Sequence, residues 1–198
     1  MPRLFIIAGC NGAGKTTASY TLLPELLNCE DYVNSDEIAK GLSPFRPSLA
    51  AIKASKIMME RIHELIAERK SFGVESTLST RTLAKTVVEA QNKGYKVNLV
   101  FFWLRMPELA IERVKLRVQS GGHDVPEETI RRRYGLGIDN LFKLYMPICD
   151  YWMILDNSNT PSKLVAEGGT NIVTKIHDKT VYNLILDYER TRDQRLEG

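Results

Sequence analysis

The stretch Phe5-Ile6-Ile7-Ala8-Gly9-Cys10-Asn11-Gly12-Ala13-Gly14-Lys15-Thr16-Thr17 constrains the fold more than any other part of the chain. It fits the spacing G-x-x-x-x-G-K-[ST], with Gly9, Gly14, Lys15 and Thr16 in the fixed places. An apolar run, 4–8, precedes it and reads as a buried parallel strand, and residues 16–27 read as the amphipathic helix that follows. A glycine-rich turn between such a strand and helix, completed by Asn11, Gly12, Ala13 and Thr17, points backbone N–H groups inward and forms an anion nest. In that setting Lys15 reaches the β- and γ-phosphates of a nucleotide such as ATP, and the Thr16 hydroxyl sits on Mg²⁺.

The rest of the chain repeats the same alternation. Further strands are expected at 31–34, 71–75, 96–104 and 151–156, and helices at 37–41, 48–69, 82–93, 107–120 and from about 126. Residues 163–176 read as a β-hairpin with a glycine turn, followed by a helix over 180–190. Strand and helix in alternation predict an α/β fold: a five-stranded parallel sheet with helices on both faces, a helical lid insert at about 105–135, and a C-terminal β-hairpin plus helix. Without a repeat or a low-complexity linker, residues 1–198 are expected to form one domain.

Ligands of such sheets gather at the carboxyl ends of the strands. The polar residues of interest fall there: the phosphate loop after strand 1, Asp36 after strand 2, Glu75 to Thr77 after strand 3, Arg105 after strand 4 and Asn157 after strand 5. Asp36 fits three roles from pattern alone: a base that takes the proton of an attacking hydroxyl, a carboxylate linked to Mg²⁺, or the N-cap of the helix beginning at Glu37. Glu75, with the hydroxyl-rich turn Ser76-Thr77-Leu78-Ser79-Thr80-Arg81, reads as a polar pocket for a hydroxylated substrate or as a capping turn. Arginines 113, 117, 131, 132 and 133 flank a glycine-containing loop; positioned guanidiniums there stabilise phosphoryl transfer, and the others form a solvated basic face. Met58 and Met59 read as packing, and His123 as a structural residue of the loop.

Composition removes several classes. A net charge of +3, from 27 Lys+Arg against 24 Asp+Glu, is too mild to imply nucleic-acid binding. No apolar run is long enough for a membrane span, so no membrane association is expected. Cys10, Cys29 and Cys149 have no metal-ligand spacing and fit a reducing, cytoplasmic setting. Cys10 lies in the phosphate loop itself, where oxidation would obstruct binding unless it is simply a tolerated loop residue.

Four segments in order, Gly-Cys-Asn-Gly-Ala-Gly-Lys-Thr-Thr from Gly9, Val-Asn-Ser-Asp-Glu-Ile-Ala from Val33, Phe-Gly-Val-Glu-Ser-Thr-Leu-Ser from Phe72, and Gly-Gly-His-Asp-Val-Pro-Glu from Gly121 followed by Arg-Arg-Tyr, resemble the zeta-toxin-like P-loop kinases. The resemblance covers most of the chain and looks closest to the family's short, stand-alone branch. It implies that Lys15 binds phosphates, Thr16 holds Mg²⁺ and Asp36 is the general base on the substrate hydroxyl. It further implies that Glu75 and Thr77 contact substrate, that Arg117 and one of Arg132 or Arg133 are lid arginines, and that Asn157 lies near the adenine. Toxins of this family phosphorylate a UDP-N-acetyl sugar on the sugar 3′-hydroxyl. This chain is markedly shorter, and one chain identifies no antitoxin.

The expected function is therefore an ATP- and Mg²⁺-dependent kinase acting on a hydroxyl of a small molecule, with Lys15, Asp36, Arg117 and Arg133 catalytic and Arg81 beside Glu75 and Thr77 on the substrate side. A switch or motor ATPase serving a protein partner is the competing class, but the chain has neither an L-S-G-G-Q segment nor an apolar strand ending in Asp-Glu. A polynucleotide kinase is the third; the local arginine density permits it and the modest net charge does not favour it.

Overall fold

The structure is a computed structural model that describes residues 1–197, with side chains except those of Leu26 and residues 192–197. Seven strands form one mixed sheet: β1 Arg3–Ala8, β2 Tyr32–Val33, β3 Phe72–Ser76, β4 Lys96–Trp103, β5 Tyr151–Asp156, β6 Lys163–Gly169 and β7 Ile172–Ile176. Their order is β2-β3-β1-β4-β5-β6-β7. The first five are parallel, as expected, and the hairpin β6–β7 continues the same sheet antiparallel to β5. Leu4, Phe5, Ile6, Ile7 and Ala8 are consecutive and all buried. Because successive strand side chains point to opposite faces, such a run requires cover on both.

The helices are α1 Lys15–Thr21, α2 Ser35–Leu42, α3 Pro47–Ala67, α4 Thr82–Asn92, α5 Pro107–Gln119, α6 Glu127–Asn140 and α7 Lys179–Glu197. Three boundaries differ from the sequence reading for physical reasons. The first helix widens into a π turn over Leu22–Leu26, which contains Pro24, a residue with no N–H for the α-helical ladder. Strand β2 is only two residues long and α2 begins at Ser35, because Asn34 leaves the strand to cap the helix: its side chain accepts the Asp36 N–H at 2.8 Å. The final helix starts at Lys179 and runs to Glu197 rather than ending near 190.

The predicted lid corresponds to α5, the loop over 120–126, and α6, whose N-cap is Pro126. It is packed onto the body: Ala110, Ile111, Val114, Ile130 and Ile138 all belong to the main core. No helix of the described residues is long and apolar enough to cross a membrane.

Candidate active site

The phosphate loop leaves β1 at Gly9 and enters α1 at Lys15, and all three of its glycines have positive φ and close neighbours; at Gly12, φ +78°, a Cβ would lie 2.6 Å from the Ala110 carbonyl oxygen. Gly9 has φ +141°, and a Cβ there would lie 2.4 Å from the Phe102 carbonyl oxygen of β4. Gly14 has φ +86°, and a Cβ would meet the Asn157 side-chain nitrogen at 2.6 Å. Asn157 sits where it does because its Nδ2 donates to the Ala13 carbonyl at 2.7 Å, so the turn after β5 braces the phosphate loop.

Lys15 lies within the loop at 5% exposure. Its Nζ donates to the Cys10 carbonyl at 2.9 Å and lies 3.6 Å from Glu75 Oε1. Glu75 is reached from β3, the sheet neighbour of β1. Its other oxygen, Oε2, accepts the Thr16 hydroxyl at 2.8 Å, the Tyr32 hydroxyl at 2.5 Å and the Asn34 amide at 3.0 Å. The resemblance assigned Glu75 to the substrate turn; here its carboxylate is tied directly to the lysine and threonine of the phosphate loop. Burial, together with the Glu75 charge and hydrogen bond, pushes the Tyr32 phenol well above the usual tyrosine range, so it stays a donor.

Asp36 is half-buried at the start of α2. With Asn34 as the cap, the capping role left open in the sequence falls away from its side chain. Among the described residues the Asp36 carboxylate has no hydrogen-bond or ion-pair partner. Its charge acts on the guanidinium of Arg133, which burial otherwise draws below the usual arginine value.

Two cavities meet at these groups. One, of about 330 Å³, is lined by Gly12, Gly14, Thr16 and Thr17 of the phosphate loop and by Arg113, Arg117 and His123. The other, of about 310 Å³, is lined by Ser55, Met58 and Met59 of α3, by Ser76, Thr77, Ser79 and Thr80 of the turn after β3, and by Arg133. Asn11, Lys15, Asp36 and Glu75 line both.

The arginines sort by contact. Arg131 is exposed and pairs with Glu108 at 2.5 Å, outside the site. Arg133 turns inward and donates to Asn11 Oδ1 at 3.2 Å. Arg117 lies beneath the α5–α6 loop, donates to the His123 carbonyl at 2.6 Å, and leaves its buried Nε without a protein partner. Arg113 donates to the Ser158 carbonyl at 3.1 Å. Arg81 is exposed at the N-terminus of α4 and lines neither cavity.

The hydroxyl-rich turn is held in a strained form. Leu78 has φ +54° and is fully buried. Its N–H is taken by the Ser76 hydroxyl at 3.0 Å and its carbonyl by Asn140 Nδ2 at 2.5 Å. Thr77 and Ser79 share a hydrogen bond of 2.8 Å. Helix α6 comes so close that a Cβ on Gly137 would lie 2.7 Å from the Thr77 carbonyl oxygen. Gly137→Ala is therefore expected to lower stability by about 1–3 kcal/mol, read from denaturant midpoints.

Cys10 is not a reactive loop thiol. It is 5% exposed, and burial, only partly opposed by Lys15, pushes it up to about 11 from 9.0. Cys149 is likewise pushed up to about 12 by burial. A folded value raised above the unfolded one means stability is held below pH 9.0 and lost as pH rises through the folded values. The unfolding temperature should thus fall from about pH 9 upward, and Cys10 should resist iodoacetamide at pH 8 in the native chain, by roughly the hundredfold that separates the two thiol ionisations.

The residues the sequence did not single out are Tyr32 and Asn34; Met58 and Met59, read there as packing, do pack on the core and also line a cavity. Asn34 carried a signal, an Asx residue two before an acidic one at a helix start. Tyr32 carried none.

A family model described as Zeta toxin matches residues 1–144. The chain belongs to the zeta toxin family. An uncharacterized protein of Haemophilus influenzae is 32% identical over 126 residues, covering 64% of this chain and 88% of that protein. Among solved structures, a chain of the AvrRxo1-ORF1:AvrRxo1-ORF2 complex with sulphate ions aligns with TM-score 0.77 at 16% identity, covering 93% of this chain and 63% of that chain. This family member thus spans less than two thirds of that larger protein. A structure of the PezAT chromosomal toxin–antitoxin system of Streptococcus pneumoniae aligns with TM-score 0.64 at 18% identity, covering 100% of this chain and 88% of that one. A gluconokinase from Sinorhizobium meliloti aligns with TM-score 0.52 at 12% identity over 99% of this chain. At these identities the structures establish the P-loop kinase-like fold.

Proposed function

We propose that this protein is a kinase that transfers the γ-phosphoryl group of ATP to a hydroxyl of a small molecule with the help of Mg²⁺. The observation that carries this reading is the junction of the two cavities at Lys15, Asp36, Glu75 and Asn11. One cavity holds the phosphate loop and the other a turn of hydroxyl side chains, and an enzyme joining two bound substrates needs two such compartments meeting at its reactive groups. A switch ATPase, whose second reactant is water, has no use for the second. ATP as the donor is supported by the bound ATP of the related AvrRxo1-ORF1:-ORF2 structure.

In the transfer, the acceptor oxygen forms a bond to the γ-phosphorus as the bond from that phosphorus to the β–γ bridging oxygen breaks, and ADP leaves with the electron pair. Asp36, which lines both cavities and has no hydrogen-bond or ion-pair partner among the described residues, takes the hydroxyl proton. Backbone N–H groups of the phosphate loop and Lys15 hold the donor phosphates, and Arg117 and Arg133 face the charge that spreads over the transferring group. Mg²⁺, when bound, neutralises charge on the donor phosphates. The Thr16 hydroxyl and the Glu75 carboxylate, hard oxygen donors bonded at 2.8 Å beside the loop, fit an ion that takes one or two protein oxygens and draws the rest from phosphate and water.

Family membership makes a UDP-N-acetyl sugar or another nucleotide-like molecule the first acceptor to try. The test is ADP release from Mg²⁺·ATP. Under this reading it rises at least about tenfold when the right hydroxyl compound is added. Stimulation by a protein, or by an oligonucleotide in a salt-dependent manner, would replace it with one of the other two classes.

A further inference from the structure

We infer that Asn34 is a positioning residue that fixes both active-site carboxylates at once, and that through Glu75 it makes Mg²⁺ part of nucleotide binding. The inference rests on the kinase reading for the role of Asp36 alone; its link to Mg²⁺ holds for any enzyme using this phosphate loop.

Asn34 is 5% exposed and every polar group on its side chain is engaged toward the site. Its Oδ1 accepts the Asp36 N–H at 2.8 Å, which starts α2 and aims the Asp36 side chain. Its Nδ2 donates to Glu75 Oε2 at 3.0 Å and lies 3.3 Å from the Tyr32 hydroxyl. The amide orientation is settled by its neighbours, because only the oxygen can accept from an N–H and only the nitrogen can donate to a carboxylate. Asn34 therefore bridges the start of α2 to β3, and β3 to the phosphate loop through the bond of 2.8 Å between Thr16 and Glu75.

The bridge divides labour between two acids. Glu75 Oε2 takes three donors, from Thr16, Tyr32 and Asn34, and Oε1 faces Lys15. Its carboxylate is committed to Thr16, Tyr32, Asn34 and Lys15, which leaves Asp36 as the carboxylate open to an acceptor. Loss of the Asn34 donor frees Glu75 to turn from Thr16. Loss of the Asn34 acceptor loosens the start of α2. Two substitutions remove the donor and keep the acceptor. Asn34→Ser keeps a capping oxygen and cannot reach Glu75; Asn34→Asp keeps the cap and replaces the donor with a charge repelling Glu75.

The experiment is a titration of each variant with a fluorescent ATP analogue, with and without Mg²⁺, alongside melting temperature and kcat for ATP turnover. Asn34→Ser should melt within a few degrees of the native chain, whereas Asn34→Asp, which buries a second carboxylate beside Glu75, should melt lower; both should bind the metal-free analogue within about threefold, because the cap and the loop N–H groups are retained. The tightening that Mg²⁺ brings should shrink by about 10–100-fold, and KM for Mg²⁺·ATP should rise on the same scale, with kcat falling as well. Tyr32→Phe, which removes another donor to the same oxygen, should act less than additively with Asn34→Ser. Native-like Mg²⁺ dependence in both Asn34 variants would overturn the inference, as would losses in Asn34→Ser that track a fall in melting temperature. Because the titration needs no acceptor, a native chain that turns over ATP without phosphorylating anything would defeat the kinase reading and leave this result standing.

Discussion

Asp36→Asn should lower kcat by about 10²-fold or more while leaving ATP binding and folding close to native. The amide keeps the shape of the side chain and cannot take a proton. The helix should not notice, because the cap of α2 is Asn34, whose Oδ1 accepts the Asp36 backbone N–H that the substitution retains. The carboxylate has no hydrogen-bond partner among the described residues, so no buried donor is orphaned, and stability should stay within about 0.5 kcal/mol. Nucleotide affinity by calorimetry, a denaturation curve and kcat with acceptor check the three parts separately. A full kcat with the true acceptor would assign the proton to another group; a large drop in stability would return Asp36 to a structural role.

Lys15→Met should have the other large effect, and of a different kind. Lys15 is buried, spans its own loop to the Cys10 carbonyl and faces Glu75 at 3.6 Å. Methionine keeps most of the volume and removes the charge that donor phosphates require, so kcat/KM should fall by about 10³-fold and nucleotide affinity with it. Thermal shift gives a direct reading. At 100 times Kd a ligand stabilises the native chain by about 2.7 kcal/mol, so Mg²⁺·ATP should raise the melting temperature of the native chain and leave that of the variant where it is. The apo variant should also be somewhat less stable, since Glu75 keeps its three neutral donors and loses its cation.

The phosphate loop and the parallel core were legible because each rests on local sequence: fixed glycine and lysine spacing, and apolar runs that only a strand covered on both faces can bury. The hairpin was legible from its two strand runs, but its turn is Thr170-Asn171, with the expected turn glycines Gly168 and Gly169 paired inside β6, and nothing in the sequence said that it would extend the main sheet. Asp36 was found, but its cap role could not be settled until the helix start was seen to move two residues earlier. Glu75 was found with the hydroxyl turn whose cavity it lines, but its tie to the phosphate loop was not. Its bond to Thr16 joins residues 59 apart in sequence, through the parallel pairing of β1 with β3, and no local spacing encodes that. The same holds for Tyr32, 43 residues from Glu75. Arginines 131, 132 and 133 are consecutive on one helix and point about 100° apart. Only packing turns Arg133 toward Asn11 and leaves Arg131 with Glu108 in solvent.

The most direct measurement is mass spectrometry of a small-molecule extract incubated with the native chain, Mg²⁺ and ATP carrying ¹⁸O in the γ-phosphoryl oxygens. The account predicts that the label moves intact onto a hydroxyl of one compound or a narrow chemical class, and that Asp36→Asn does not produce this product. Label appearing only in inorganic phosphate while ATP is consumed, whatever acceptors are supplied, would contradict it: the second cavity would not be an acceptor site, and the chain would be a hydrolase of ATP.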